Sequence, residues 1–437
     1  MKLLKTLILA SILMTGLNLI CFNPDGIIWL LECSRVSAQE LTGLKISGYG
    51  TLSATTHDRS DIHPVRDVSQ APENRFKTNF SAVMDSRLGL QAHYRFSSNL
   101  DAVVQGVLRD QSYITFNNSL ELAYIAYRPS SWLELRAGRF GYDAFLMSDT
   151  RNLGYAYSWV RPPNEFYGWV PVFHTDGADA TLRIDGDDSQ WRLRVQAGEQ
   201  AFKFALADSE YDAETESLQT LSLSRQSGPL TLKAGYSAFS LKNEMNIFIP
   251  LHEGLNQIAD ATASFFPEIS SEARYLRDNT AFKGTDITYL TLGASYDDGQ
   301  WIAQAELAHS TSNTEILSHG TMGYAALGYR IGDFTPYFIF SATRAGNDIR
   351  KSIADWSIIE AAELQETVIN IINTTRMDQE TLSFGVRWDF HNQAALKLQL
   401  DSIHINSFGY GLWFAKPITI DNDSSMSLGT ISLEVMF

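Results

Sequence analysis

Cysteine is nearly missing from this sequence: the 437 residues contain only Cys21 and Cys33. Both precede Gln39, so a chain beginning there has no thiol nucleophile, no disulfide and no cysteine-based metal site. An excess of positive charge is missing too. Thirty-four Lys and Arg face fifty Asp and Glu, a net charge of −16, which argues against a nucleic-acid partner. Beyond the first twenty residues there is no run of about 18 apolar residues of the kind a membrane helix needs. Prolines number only 12. The sequence also has no G-x-S-x-G, no H-E-x-x-H, no P-loop and no dinucleotide fingerprint, and no internal repeat of about 20–50 residues of the kind that builds a propeller.

What is present is spread evenly: 12% aromatics, 29 glycines and a mean hydropathy of −0.13. The first residues read as an export leader. A basic head, Met1-Lys-Leu-Leu-Lys5, precedes a mostly apolar stretch from Thr6 to Ile20, and Val36-Ser37-Ala38 offers a small-residue cleavage site. This divides the chain into a cleaved segment, 1–38, and a single domain, 39–437. Asn23-Pro-Asp-Gly26, Glu32 and Arg35 make the leader long for its type.

From Leu44 onward sixteen segments of about ten residues alternate apolar and polar positions, at 44–57, 86–96, 99–109, 118–128, 131–140, 176–184, 189–198, 217–226, 229–241, 285–297, 300–310, 319–330, 333–344, 380–391, 394–405 and 426–437. Ten residues rising about 3.3 Å each, tilted about 45°, climb roughly 23 Å, the height of an outer-membrane apolar band. The connections alternate between short turns, such as Ser97-Ser98, Ser227-Gly228, Asp298-Gly299 and Asn392-Gln393, and long loops, such as 58–85, 141–175, 242–284 and 345–379. Short turns on one rim and long loops on the other, with an even strand number, predict a transmembrane antiparallel β-barrel, because a chain without membrane helices can span lipid only by closing its sheet.

One face of these strands is lipid-like: Leu88, Leu90 and Tyr94; Leu120, Leu122, Tyr124 and Ala126; Leu382, Phe384, Val386 and Trp388. The other face is the predicted lumen wall. It carries Arg87, Arg95, Arg109, Arg136, Arg183, Arg192, Arg194, Lys233, Arg387 and Lys397 against Asp101, Glu121, Glu134, Glu306, Asp389 and Asp401. This wall is net basic, with acidic residues concentrated in loops, among them Asp208, Glu210, Asp212, Glu360 and Glu363. Trp132, Phe140, Trp301, Tyr329 and Trp413 are candidate interfacial aromatics. His309 and Ser310 are an adjacent pair with hydrolase chemistry, but neighbours on a strand point to opposite faces.

The chain ends on Ile431, Leu433, Val435 and Phe437, one apolar parity closed by an aromatic. That ending resembles the closing strand of Gram-negative outer-membrane barrels, where it is the signal read by the barrel assembly machinery. Leu133-Glu-Leu-Arg-Ala-Gly-Arg-Phe140 and the aromatic-rich loop after it, Tyr142 to Trp169, resemble the fifth strand and third loop of the sixteen-stranded trimeric porins. The resemblance implies a third loop folded into the pore, with Asp143, Asp149, Arg151, Arg161 and Glu165 at the constriction; strand parity puts Arg136, Arg192, Arg194, Lys233, Arg387 and Glu121 on the wall around it. It implies passive diffusion of small hydrophilic solutes across an outer membrane, contact with outer-membrane lipid, a homotrimer, and neither cofactor, metal nor catalysis; the small outward residues Gly48, Gly50 and Ala54 would permit the close packing a trimer needs. Arg151 and Arg161 depart from the acidic pattern of such loops. The basic wall adds an expectation of weak anion preference. An outer-membrane hydrolase and a receptor or adhesin acting through its long loops are the alternatives.

Overall fold

The computed structural model describes residues 43–70, 79–111, 114–170, 172–206, 209–317, 319–409, 413–415 and 422–437. The leader with its cleavage point and Asp208 lie outside the described residues, as does the side chain of Trp413.

Sixteen long strands form one closed antiparallel sheet. They are β1 Leu44–His57, β2 Arg87–Arg95, β3 Leu100–Arg109, β4 Leu120–Ser130, β5 Leu133–Gly141, β6 His174–Asp185, β7 Gln190–Glu199, β8 Ser209–Ser227, β9 Leu230–Leu241, β10 Asp286–Asp297, β11 Trp301–Ser312, β12 Gly320–Tyr329, β13 Phe334–Ala345, β14 Gln379–His391, β15 Ala394–Ile405 and β16 Ser424–Met436. Each pairs with its sequence neighbours, and β1 pairs with β16 on one side and β2 on the other, which closes the ring. Every one of the sixteen predicted segments is a strand of this barrel. A ring leaves no strand edge unpaired in lipid, where a lost backbone hydrogen bond is costly.

The seam is fixed at its end by Phe437, whose backbone exchanges hydrogen bonds with Gly48 at 2.8 and 2.9 Å. The Phe437 ring lies where a Cβ on residue 48 would sit, 2.5 Å from that position, so glycine is required there by space. Ile431 and Phe437 are exposed on the outer wall while Thr430, Ser432 and Glu434 are buried inside. Gly48, Gly50 and Ala54 share the outward parity with exposed Leu52. Trp132, Trp301 and Tyr329 are on the rim of the short turns, with Trp301 and Tyr329 edge-to-face at 4.6 Å.

Two sequence readings are corrected. Phe140 is not an interfacial aromatic: it is fully buried inside the barrel, beneath the Arg136 guanidinium at 5.4 Å. And the faces of β4 are exchanged along most of its length. Leu120 opposes Gly106 but Leu122 opposes Gln105, so Glu121 is an extra residue, a β-bulge. A one-residue shift inverts every later side chain. Leu122, Tyr124 and Ala126 therefore turn inward, Tyr124 packing at 4.9 Å from the Arg136 guanidinium, and Ile125 and Tyr127 face lipid.

The long loops carry structure of their own. Residues Ala201–Leu206 pair with the start of β8 and extend a hairpin beyond the barrel rim. Three helices, α1 Phe248–Thr262, α2 Pro267–Asn279 and α3 Ala362–Thr374, form a cap with a core of Leu255, Ile269, Leu276, Trp356, Val368 and Ile372. Glu272 is buried within it and accepts from the backbone N–H of Ile353 and Ala354, Trp356 Nε1 and Gln365 Nε2, at 2.7–3.0 Å.

Candidate functional site

The loop between β5 and β6 is too aromatic to lie in water, and it does not. Tyr142, Phe145, Phe166, Tyr167 and Trp169 are buried against inward residues of β9 to β13, namely Phe239, Tyr289, Met322, Tyr324, Tyr337 and Ile339. Burying each such side chain stabilises by roughly 1.5–3 kcal/mol. The edge-to-face pairs Phe145–Phe166, Phe145–Tyr289 and Phe166–Tyr324, at 5.4, 6.0 and 5.4 Å, fix the ring geometry further. The lumen wall is thus two-sided. From β9 to β13 it is partly apolar and holds the loop; from β2 to β7 it is charged.

Polar anchors tie the loop to the wall around most of the ring. Asp143 faces Lys233 Nζ at 2.5 Å, Arg194 Nη1 at 3.3 Å and the Ser222 hydroxyl at 2.8 Å. Arg194 also pairs with Asp179 at 2.9 Å, and Asp179 is gripped by Arg136 through two nitrogens. Glu306 accepts from Leu146 N at 2.7 Å and from the hydroxyls of Tyr167 and Tyr324. Glu165 accepts from Ser341 at 2.5 Å, from Gln379 Nε2 at 2.7 Å and from Thr381. Lys397 Nζ donates to the carbonyls of Gly154 and Trp159, and Arg387 to those of Tyr155 and Tyr157, all at 2.6–3.0 Å. Asn152 reaches Glu121 at 3.3 Å.

Arg161 makes the most connected of these contacts. It pairs with Asp85 at 2.8 Å and Asp401 at 2.7 Å and donates to Thr430 at 2.6 Å. Burial alone would raise the Asp85 carboxyl, but Arg161 and Arg66 outweigh it and hold it at about 2. Arg151 lies apart from carboxylates: it donates to the Val172 carbonyl at 3.1 Å and stands 3.3 Å over the Phe173 ring. Burial pushes its guanidinium down to about 10, with Asp67 opposing. Asp149 is half-exposed, 4.0 Å from Arg194.

The predicted residues of loop and wall are therefore brought together, but in pairs. Asp143 meets Lys233 and Arg194, and Arg136 meets Asp179. The sequence reading missed Asp85, Asp179 and Glu434. Asp179 and Glu434 occupy the inward parity of β6 and β16, the signal that would have found them; Asp85 sits in a loop whose path no periodicity reveals. Lumen-facing cations without a carboxylate in ion-pair reach, among the described residues, include Arg87, Arg95, Arg192 and Lys45, which shares the inward parity of β1 opposite His93, with Arg151 from the loop. Arg87 and Arg109 are directly opposite on β2 and β3, and Arg109 is matched by Asp67 at 3.3 Å. His309 and Ser310 do not meet: His309 is on the lipid face against Thr321 and Ser310 is buried inside, accepting from Gly320 N at 3.2 Å. Among the described residues no cluster of His, Cys, Asp and Glu is arranged to hold a metal ion.

No protein-family pattern and no curated protein matches the sequence. Among solved structures the chain is similar to OmpF of Salmonella typhi, in complex with daunomycin, at 10% identity and a TM-score of 0.51 over 90% of this chain and 97% of that one. It is similar also to an anion-selective porin from Comamonas acidovorans (12%, 0.48, 90% and 100%) and to OmpT of Vibrio cholerae (11%, 0.47, 90% and 98%). At such identities the shared property is the fold. The chain has the sixteen-stranded barrel fold of Gram-negative outer-membrane porins, and its lipid-facing belt suits it to that membrane.

Proposed function

We propose that the protein is an outer-membrane channel for passive diffusion of small hydrophilic solutes and ions, with no turnover of its own. The observation that carries this reading is the loop 142–173, drawn into the barrel and tied to its wall by Asp143, Arg161 and Glu165 while β2 to β7 line the remaining side with charge. Such a loop narrows a barrel without sealing its charged side. Asp143, Asp149, Arg151, Arg161 and Glu165 set the constriction, and Arg136, Arg194, Lys233, Arg387 and Glu121 hold it in position from the wall.

Weak anion preference follows from the cations left unmatched. Low-dielectric walls focus the field of lining charges, whereas loop carboxylates at the mouth are screened within about 8–10 Å of saline. Arg192, Arg95 and Arg87 supply that field in this reading; the paired Arg136, Arg194 and Lys233 supply little. Further proposals are export by cleavage after Ala38, assembly guided by Phe437, and a homotrimer packed on the outward face of β1 through Gly50 and Ala54, where Gly48 is covered by the Phe437 ring. Reversal potentials across a planar bilayer in a salt gradient test the channel and its sign together. A potential of anionic sign supports the reading, a cationic one reverses the charge assignment, and absence of conductance with measurable esterase activity would move the protein to the hydrolase class.

A further inference from the structure

The outer wall carries a groove of about 530 Å³ on β8 to β11. Its floor is Ala234, Ala294 and Ala305, and its ridges are Leu223, Leu292 and Leu307, all on the lipid-facing parity and the leucines exposed. The register explains it. Along one row across the strands the outward residues read Trp191, Arg225, Leu232, Ala294 and Ala305, so large side chains give way to methyl groups. All lie within about six residues of the short-turn rim, which places the groove in the periplasmic half of the bilayer. It is remote from Gly48, Gly50 and Ala54 on β1, the face proposed for self-association.

Arg225 stands at the foot of the groove. It faces outward two residues before the end of β8, and its guanidinium is 5.5 Å from the ring centroid of Trp191. Among the described residues it has no carboxylate partner. An arginine on the lipid face is costly at the bilayer midplane and tolerated near the interface. At interface depth the complementary anion is a lipid phosphate, which a guanidinium binds through two donors.

We propose that this groove is a binding site for one glycerophospholipid of the periplasmic leaflet, its phosphate on Arg225 and one acyl chain lying over the three alanines. The proposal does not depend on what passes through the lumen. It rests on a row of small residues cut into a bulky wall, with a matched cation where the headgroup of that lipid must be.

The test is native mass spectrometry of the protein in dodecyl maltoside supplied with dioleoyl phosphatidylethanolamine, and separately with dioleoylglycerol, which lacks the phosphate. The wild-type barrel should retain one phosphatidylethanolamine and little diacylglycerol. Arg225→Gln should lower retention about tenfold, the worth of one charge-assisted hydrogen bond, and Ala294→Leu with Ala305→Leu, which fills the groove, should abolish it. Heat-modifiable migration on a gel verifies that each variant is a folded barrel. Equal retention by wild type and both variants overturns the site. Equal retention of the two lipids overturns the phosphate contact. Loss of self-association in the groove-filled variant would overturn the proposal in favour of a second copy of the chain.

Discussion

Arg161 and Asp85 meet inside the barrel at 2.8 Å, although both belong to loops and 76 positions separate them. Neither is exposed, and Asp401 on β15 completes the contact from the opposite side of the guanidinium. Removing one partner of such a pair leaves a buried charge unmatched, at a cost of about 3–5 kcal/mol. Asp85→Asn and Arg161→Ala are each predicted to destabilise the barrel by that order, measured by urea unfolding in detergent.

The same pair sets an acid limit. The folded Asp85 carboxyl, at about 2, lies below its ordinary value of 3.8, so its contribution is fully present above about pH 4 and is lost as pH falls toward 2. Unfolding midpoints followed from pH 6 to pH 2 should fall between pH 4 and pH 2 in the wild type, and Asp85→Asn should flatten that part of the curve. Parallel curves would remove Asp85 as the titrating group.

Arg192 and Arg194 are two residues apart on β7, yet the structure separates their roles. Arg194 is buried between Asp143 and Asp179, whereas Arg192 has no carboxylate partner among the described residues. Arg192→Ala is expected to shift the reversal potential toward cations with little loss of stability. Arg194→Ala is expected to destabilise by a few kcal/mol. An unchanged potential in Arg192→Ala removes that residue from the selectivity account.

The seam yields a prediction about assembly. A side chain at residue 48 occupies the place of the Phe437 ring, so Gly48→Val should reduce the folded fraction, read as heat-modifiable migration on a gel, about as much as deleting Phe437. A Gly50→Ala control, whose added Cβ meets the Val435 side chain at 3.3 Å and otherwise makes only ordinary contacts at 3.9 Å with Arg87 and Leu88, should be mild.

The barrel was legible in the sequence because its signal repeats. Each strand carries period-2 alternation, and the length of each connection reports its rim, so the sixteen segments support one another. Glu121 shows the limit: a bulge leaves the composition of β4 unchanged while exchanging its faces, and only the pairing with Gln105 and Gly106 reveals it. The loop residues were legible as a group, since Phe145, Phe166 and Trp169 are too apolar for an exposed loop. Their partners were not. Arg161 finds Asp85 and Asp401 through contacts 76 and 240 residues apart, and no local pattern encodes such distances.

The measurement that tests the account most directly is single-channel conductance of the wild type beside a variant in which the loop is released by Arg161→Ala together with Asp143→Ala. The account predicts discrete, ohmic steps for the wild type and larger, noisier steps for the variant, because the loop then no longer narrows the lumen. A silent wild-type barrel, or steps of the same size in both proteins, would contradict it.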